Sequence, residues 1–172
     1  MQTELLLPAT RRPRSPRRPV RSPVAKLLAG EPHYALLFTL GQVERIHTVR
    51  EGLPATVLGT LAADMQITRD QLYSWAGIPR ATANRKIRLA TTLSSDESER
   101  VLAIARLIGQ VEQIVTESGS PEGFDPASWT ANWLAQPLAA LGGKTPAEFL
   151  DTADGRGLVA ALISQMQSGA YA

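Results

Sequence analysis

The sequence predicts an all-α protein: a helix-turn-helix-like N-terminal domain, a long connecting helix and a small helical C-terminal domain. Three observations carry this. Ala and Leu are abundant while aromatics make up only 5% of the chain, which favours helices over a sandwich or barrel. Apolar residues recur at intervals of 3 and 4 along most of the chain after about residue 32. Capping-box spacings stand at the start of several of these runs. The 172 residues are 44% hydrophobic and 20% charged, enough to bury one compact domain or two small ones sharing a core.

Residues 1–30 stand apart. They hold Arg11, Arg12, Arg14, Arg17, Arg18, Arg21 and Lys26 against a single acid, Glu4, for a charge of +6. The rest of the chain keeps eleven basic and fifteen acidic groups, for −4. The prolines of this Pro/Arg-rich stretch block helical geometry and its arginines repel one another, so a flexible, extended arm is expected. Three readings stay open for it: salt-sensitive contact with nucleic-acid phosphates, a solubilising or vestigial extension, or binding at a membrane surface, although no amphipathic helix surrounds the arginines.

The first helical domain is expected over residues 31–117. Leu36, Leu37, Leu40, Val43 and Ile46 predict one helical face, although Tyr34 to Phe38 is short enough for a strand. Gly52-Leu53-Pro54 breaks the pattern, and Ala55 to Ala63 predicts a short helix with Val57, Leu58 and Leu61 inward. Thr68-Arg69-Asp70-Gln71 is a capping-box spacing before Leu72, Trp75 and Ala76. Gly77 turns the chain, Ile78 pins the turn, and a second helix starts near Pro79 or Arg80 with Ala83, Ile87 and Ala90 inward. Two short helices around a glycine-containing turn resemble a helix-turn-helix unit.

That second helix crowds Arg80, Arg85, Lys86 and Arg88 together with no acid between them. Arg80, Thr82, Asn84, Arg85 and Arg88 are candidates for DNA contact, since a recognition helix needs donors to bases and phosphates on its outward face. A solvated helix surface is the competing reading. Ser94-Ser95-Asp96-Glu97 then caps a run of Val101, Ile104, Ile108, Val111 and Val115, stepping by 3, 4, 3 and 4. A helix from about Ser95 to Glu117 is roughly 35 Å long at ~1.5 Å per residue and offers a backbone for both halves.

The C-terminal domain is expected over residues 118–172. Asp125-Pro126 supplies an acceptor and a proline suited to the first helical position. Trp129, Trp133 and Leu134 follow as a packing face, and Pro137 ends the helix. Thr145-Pro146-Ala147-Glu148 is the sharpest local start signal, with Phe149 and Leu150 inward. After Gly155 and Gly157, the residues Leu158, Val159, Leu162, Ile163 and Met166 draw a last helical stripe, which Gly169 can cap.

Catalytic chemistry finds no constellation. The absence of cysteine removes disulfides, thiolate metal sites and cysteine nucleophiles, and fits a reducing cytoplasm. His33 and His47 form no HExxH arrangement. Asp96, Glu97 and Glu99 stand where helix-start acids are expected. Gly142-Gly143-Lys144-Thr145 lacks phosphate-loop spacing and a preceding strand. Ser74 and Ser164 have no nucleophile elbow. No catalytic, cofactor or metal residue is therefore expected. The apolar run at the start precedes the arginines and is too short for a signal peptide, and no stretch approaches the roughly 20 residues of a membrane span.

Several motifs in order carry a family resemblance. Trp129, Trp133 and Leu134, then Pro137-Leu138-Ala139-Ala140-Leu141-Gly142-Gly143-Lys144-Thr145-Pro146-Ala147-Glu148-Phe149-Leu150, are similar to the W–N–ALGG–TP–E–LL signature of the Xre/MbcA/ParS type II antitoxins. Ile78-Pro79-Arg80-Ala81-Thr82-Ala83-Asn84-Arg85 resembles its IS–RT–R segment, and Leu93 to Arg100 its LS–E–R segment. The likeness covers about residues 53–172. Leu138 departs from the family's asparagine, and Pro79-Arg80-Ala81 from its usual serine.

The resemblance implies a bipartite, cytoplasmic antitoxin. Its degenerate helix-turn-helix domain would dimerise and bind operator DNA. Its C-terminal domain would bind a RES-domain toxin that degrades NAD or transfers its ADP-ribose, with the antitoxin's end at the toxin's NAD-binding cleft. On this chain the toxin-binding elements would be Leu162, Met166, Gly169, Ala170, Tyr171 and Ala172. The competing function is a stand-alone helix-turn-helix transcription regulator.

Overall fold

The computed structural model describes residues 34–119 and 122–167. The basic arm and the segment Gly169–Ala172 lie outside the described residues. Eight α-helices are present among them: α1 Tyr34–Thr39, α2 Gln42–Glu51, α3 Val57–Asp64, α4 Arg69–Trp75, α5 Arg80–Arg88, α6 Ser95–Glu117, α7 Pro126–Leu134 and α8 Ala153–Gln167. Two 3-10 turns, Ala139–Leu141 and Pro146–Phe149, lie between α7 and α8. Among the described residues, strand-like pairing is limited to two isolated bridges, Pro54 with Thr92 and Leu138 with Lys144.

Helix α6 organises the rest. Ser94 accepts from the Glu97 amide at 3.2 Å and Glu97 accepts from the Ser94 amide at 2.7 Å, so both halves of the expected capping box form. Val101, Leu102, Ile104, Ala105, Leu107, Ile108 and Val111 are all buried, too wide an arc for a helix with one wet face. Helices α1, α2, α7 and α8 all pack against it. Its closest approach is to α1, at Gly109. A Cβ there would stand 2.0 Å from the Tyr34 carbonyl oxygen, so only glycine permits this crossing. The Glu112 carboxylate then accepts the Ala35 amide at 2.7 Å, and the Tyr34 hydroxyl donates to Asp64 of α3 at 2.5 Å.

The apolar rhythm of the first helical region does not survive as one face. Leu37 is fully buried, but Leu36, Val43 and Ile46 are 51%, 67% and 48% exposed. Even on one continuous helix each step of 3 falls about 60° short of a full rotation, so Leu37, Leu40, Val43 and Ile46 would not share a face. The chain also breaks at Leu40 and Gly41, giving two helices rather than one. Further on, α3 buries Val57, Leu58 and Leu61 as expected.

Helices α4 and α5 form the helix-turn-helix. Thr68 accepts from the Gln71 amide at 3.1 Å, while the reverse half of that box is absent. At the end of α4 the Gly77 amide donates to Ser74 and the Ile78 amide to Tyr73, at 3.1 and 2.9 Å. Gly77 is left-handed, with φ 59°, and Ile78 is buried. This doubly bonded turn is the glycine-and-hydrophobe stop. Arg100 of α6 locks it by donating to the Ala76 carbonyl at 2.7 Å. Lys86 of α5 reaches Glu97, the same carboxylate that closes the α6 cap.

In the C-terminal half, Asp125 caps α7 by accepting from the Ala127 and Ser128 amides, both at 3.0 Å, with Pro126 in the first position. The Thr145 start signal yields a 3-10 turn rather than an α-helix, but its capping box forms, with the Thr145 amide and hydroxyl also donating to the Glu148 carboxylate at 2.9 and 3.1 Å. Helix α8 begins earlier than the stripe predicts and contains both glycines. Gly155 is required there: a Cβ would stand 2.0 Å from the Phe149 carbonyl oxygen. Leu158 falls outside the stripe, 43% exposed, while Val159, Leu162 and Ile163 are buried. Gln110 of α6 ties α8 down by donating to Ala160 and Ser164 at 3.0 and 2.8 Å.

Two expectations test this packing. Gly109→Ala should lose about 1–3 kcal/mol, because overpacking against a backbone oxygen outweighs the ~1 kcal/mol helix preference of alanine. Gly157→Ala, with nothing within 4 Å of its added methyl, should gain about 0.5–1 kcal/mol. Chemical denaturation measures both, and equal signs would refute the steric argument.

A further expectation concerns pH. Burial pushes the Glu97 carboxyl up, but the bonds from Lys86 and the Ser94 amide, with the Lys86 charge, outweigh it and hold the group below its ordinary 4.5. A depressed carboxyl stabilises the fold above that value, and the benefit is lost as pH falls through the depressed pKa. Glu97→Gln should therefore melt lower than the wild type near neutrality, with the gap closing below about pH 4.5. Thermal melts across pH check this; a constant gap rules it out.

Candidate functional site

Two surfaces carry the candidate residues. The first is the outward side of α5. Successive residues rotate about 100° around a helix, so the inward set Ala83, Lys86 and Ile87 faces away from Ala81, Asn84, Arg85 and Arg88. Ala83 is fully buried; Asn84, Arg85 and Arg88 are exposed. Arg80 is exposed too, but pairs with Asp70 of α4 at 3.1 Å. Such a surface pair is worth only about 0–1 kcal/mol, so Arg80 can exchange it for another anion. Thr82 is half-buried at the flank. Asn84 accepts from the Tyr73 hydroxyl at 3.3 Å, which braces its side chain against α4.

Lys86 is the member of the basic cluster that does not join this face. It is half-buried and paired with Glu97. No local spacing announces this, since the two residues belong to different helices. Arg85 and Arg88 thus remain the cations of α5 without an ion pair among the described residues. The N-terminus of α5 adds to the positive field. Pro79 offers no side-chain acceptor, so the first amides of the helix stay open.

The second surface is the end of α8. Leu162 is buried at 6% exposure and belongs to the core of the chain itself. Met166 is half-buried and, with Phe124, Trp129 and Gln167, lines a small apolar pocket of about 210 Å³. Trp129 stacks on Trp133 at 6.2 Å with the rings 7° apart, and Phe124 tilts against Trp129 at 6.2 Å. Trp75 and Trp133 are buried whereas Trp129 is only partly so. Sequence spacing marks these aromatics as a packing face but carries no sign that they frame a pocket under Met166. Gly169, Ala170, Tyr171 and Ala172 lie beyond the described residues.

Among the described residues no group of three or more His, Asp or Glu side chains is placed to hold a metal ion. No helix among them is long and apolar enough to cross a membrane. The three helix-start acids are each engaged: Asp96 with Arg100 at 2.9 Å, Glu97 with Lys86, and Glu99 with Arg156 at 2.9 Å.

The two surfaces fall in two regions matched by family models. Residues 44–106 match the antitoxin Xre-like helix-turn-helix domain, and residues 113–169 match the antitoxin Xre/MbcA/ParS C-terminal toxin-binding domain. The chain is 39% identical over 139 residues to the Prs ADP-ribosylating antitoxin of Sphingobium sp. (strain YBL2), covering 81% of this chain and 87% of that protein. It is 29% identical over 128 residues to an antitoxin Xre of Pseudomonas putida, covering 72% of each. A helix-turn-helix domain, a toxin-binding domain and this degree of identity together place the chain in the Xre/MbcA/ParS family of antitoxins.

Proposed function

We propose that this antitoxin neutralises a RES-domain toxin by covering its NAD-binding cleft with the end of α8 and residues 168–172, and that a homodimer of it binds operator DNA through α5. The observation that carries the first half is the match of residues 113–169 to a toxin-binding domain, a range that runs through α8 into the tail. Within that tail, Tyr171 carries a ring and a hydroxyl, both suited to a plug, and Gly169 and Ala170 before it are small residues. Met166 adds a pliable apolar side chain in the last turn of α8. The Sphingobium relative's name joins an antitoxin to ADP-ribosylation. That transfer draws on NAD, and it favours an ADP-ribosylating toxin over one that only degrades the dinucleotide. Inhibition is steric, and no catalytic step is asked of this chain.

The DNA half rests on the outward set Arg85, Arg88 and Asn84, flanked by Thr82 and by Arg80. Arginine reads guanine edges or holds phosphates, and asparagine pairs with adenine. The competing role, a regulator acting without a toxin, shares this surface but leaves the end of α8 without a task.

NAD consumption by a RES-domain toxin candidate encoded beside this chain, with and without the purified chain, tests the first half. Suppression at a fixed molar ratio is expected. A folded chain that neither binds nor suppresses would move the assignment to the stand-alone regulator. Removing residues 167–172 should abolish suppression while circular dichroism stays unchanged; full inhibition by the shortened chain refutes the plug. For DNA, Arg85→Ala with Arg88→Ala should weaken operator binding and flatten the slope of log affinity against log salt by roughly 0.9 for each phosphate no longer neutralised. An unchanged titration would remove both residues from the interface.

A further inference from the structure

A cavity of about 710 Å³ opens between α2, α6 and α8, within the size range of small-ligand sites. Phe38, Ile46, Leu102 and Leu107 supply apolar wall. Its charge is lopsided. Glu99 and Arg156 both line it but pair with each other at 2.9 Å and cancel. That leaves Arg45, Arg50 and Arg106, three guanidiniums facing one space with no carboxylate bonded to any of them among the described residues. Arg45 donates to the Leu40 carbonyl at 2.6 Å, which fixes its direction without neutralising it.

Arg106 is the odd member. Its Nε is buried and has no hydrogen-bond partner among the described residues. Its guanidinium carbon lies 6.0 Å from the centre of the Phe38 ring. Burial, and then the like charge of Arg45, weaken its hold on its proton. An unbonded buried donor beside a second cation opposes folding, and a methionine would fill the same volume without either penalty. A side chain kept against the interest of stability marks a place where something else supplies the missing negative charge.

We propose that this cavity binds a small organic carboxylate, with its apolar stem on Phe38, Ile46, Leu102 and Leu107 and its carboxylate accepting from the terminal guanidinium nitrogens of Arg106 and its neighbours Arg45 and Arg50. A planar carboxylate matches the guanidinium fork. A single negative charge on an apolar stem also suits apolar walls better than a doubly charged, strongly hydrated phosphate. The site is independent of toxin neutralisation, so either reading can fail without the other.

The experiment follows the Arg106 Nε–H resonance of the full-length, nitrogen-15-labelled chain. Sodium octanoate, 1-octanol, inorganic phosphate and a blocked leucine-rich tetrapeptide bearing one glutamate are titrated in parallel. Octanoate should shift the resonance saturably and bind at least tenfold more tightly than octanol or phosphate. Arg106→Met should melt at or above the wild-type temperature and bind octanoate at least tenfold more weakly; Arg45→Gln should also weaken it if the first variant misfolds. Equal binding of octanol, tighter binding of phosphate, or unchanged affinity in a folded variant overturns the proposal. Tighter binding of the peptide overturns it in favour of a protein partner. A resonance that shifts on dilution without any addition overturns it in favour of a second copy of the chain.

Discussion

The crossing of α1 over α6 at Gly109 is the constraint on which the remaining architecture depends. A helix can bury most of its circumference only if its neighbours come close, and here the Tyr34 carbonyl sits where any side chain on residue 109 would begin. The approach brings Tyr34 to Asp64 and the Ala35 amide to Glu112, so α1 is held at its start to both α3 and α6. With that side covered, α7 and α8 close over the others, and α6 becomes the shared core of both halves. Gly155 plays the same part at the start of α8, where the Phe149 carbonyl lies against it.

The first turns of α6 work differently. They are an electrostatic hub in which each acid has a distinct cation: Asp96 takes Arg100, Glu97 takes Lys86, and Glu99 takes Arg156. The pairs with an exposed carboxylate, Asp96–Arg100 and Glu99–Arg156, contribute little energy, whereas Lys86–Glu97 is largely buried. Their effect is on orientation. Lys86 holds the inward side of α5 to α6, Arg100 holds the stop of α4, and Arg156 holds α8 and the Leu150 carbonyl. Turning Lys86 inward leaves Arg85 and Arg88 outward, which is why a basic helix in an otherwise acidic body presents a narrow positive stripe rather than a diffuse one.

The same helix therefore serves two surfaces of opposite character. Its start fixes the angle at which α5 meets solvent. Its far end, through Val111, Ile114 and Val115, lines the pocket under Met166 and Trp129. Between them lies the arginine-lined cavity, floored by the middle of α6. The helix-turn-helix domain and the toxin-binding domain thus share one spine, and a single hydrophobic core runs through both.

By itself the sequence determined the elements whose signals are local. The cap at Ser94 and Glu97 and the mixed steps of 3 and 4 set α6 at Ser95–Glu117, and Gly77-Ile78 set the turn between α4 and α5. Asp125-Pro126 set the start of α7, and the ordered motifs from Trp129 to Leu150 identified the family. Each depends on residues within a few positions of one another. What spans separate helices only the tertiary structure decided: that Lys86 faces Glu97, that Leu162 lies in the core, that Leu36, Val43 and Ile46 stay exposed, and that Arg106 meets Arg45 in a cavity. The physical reason is that periodicity states which residues share a side of one helix, whereas the neighbour on that side is chosen by how helices cross, and here that choice turns on glycines whose contact is with another segment's backbone.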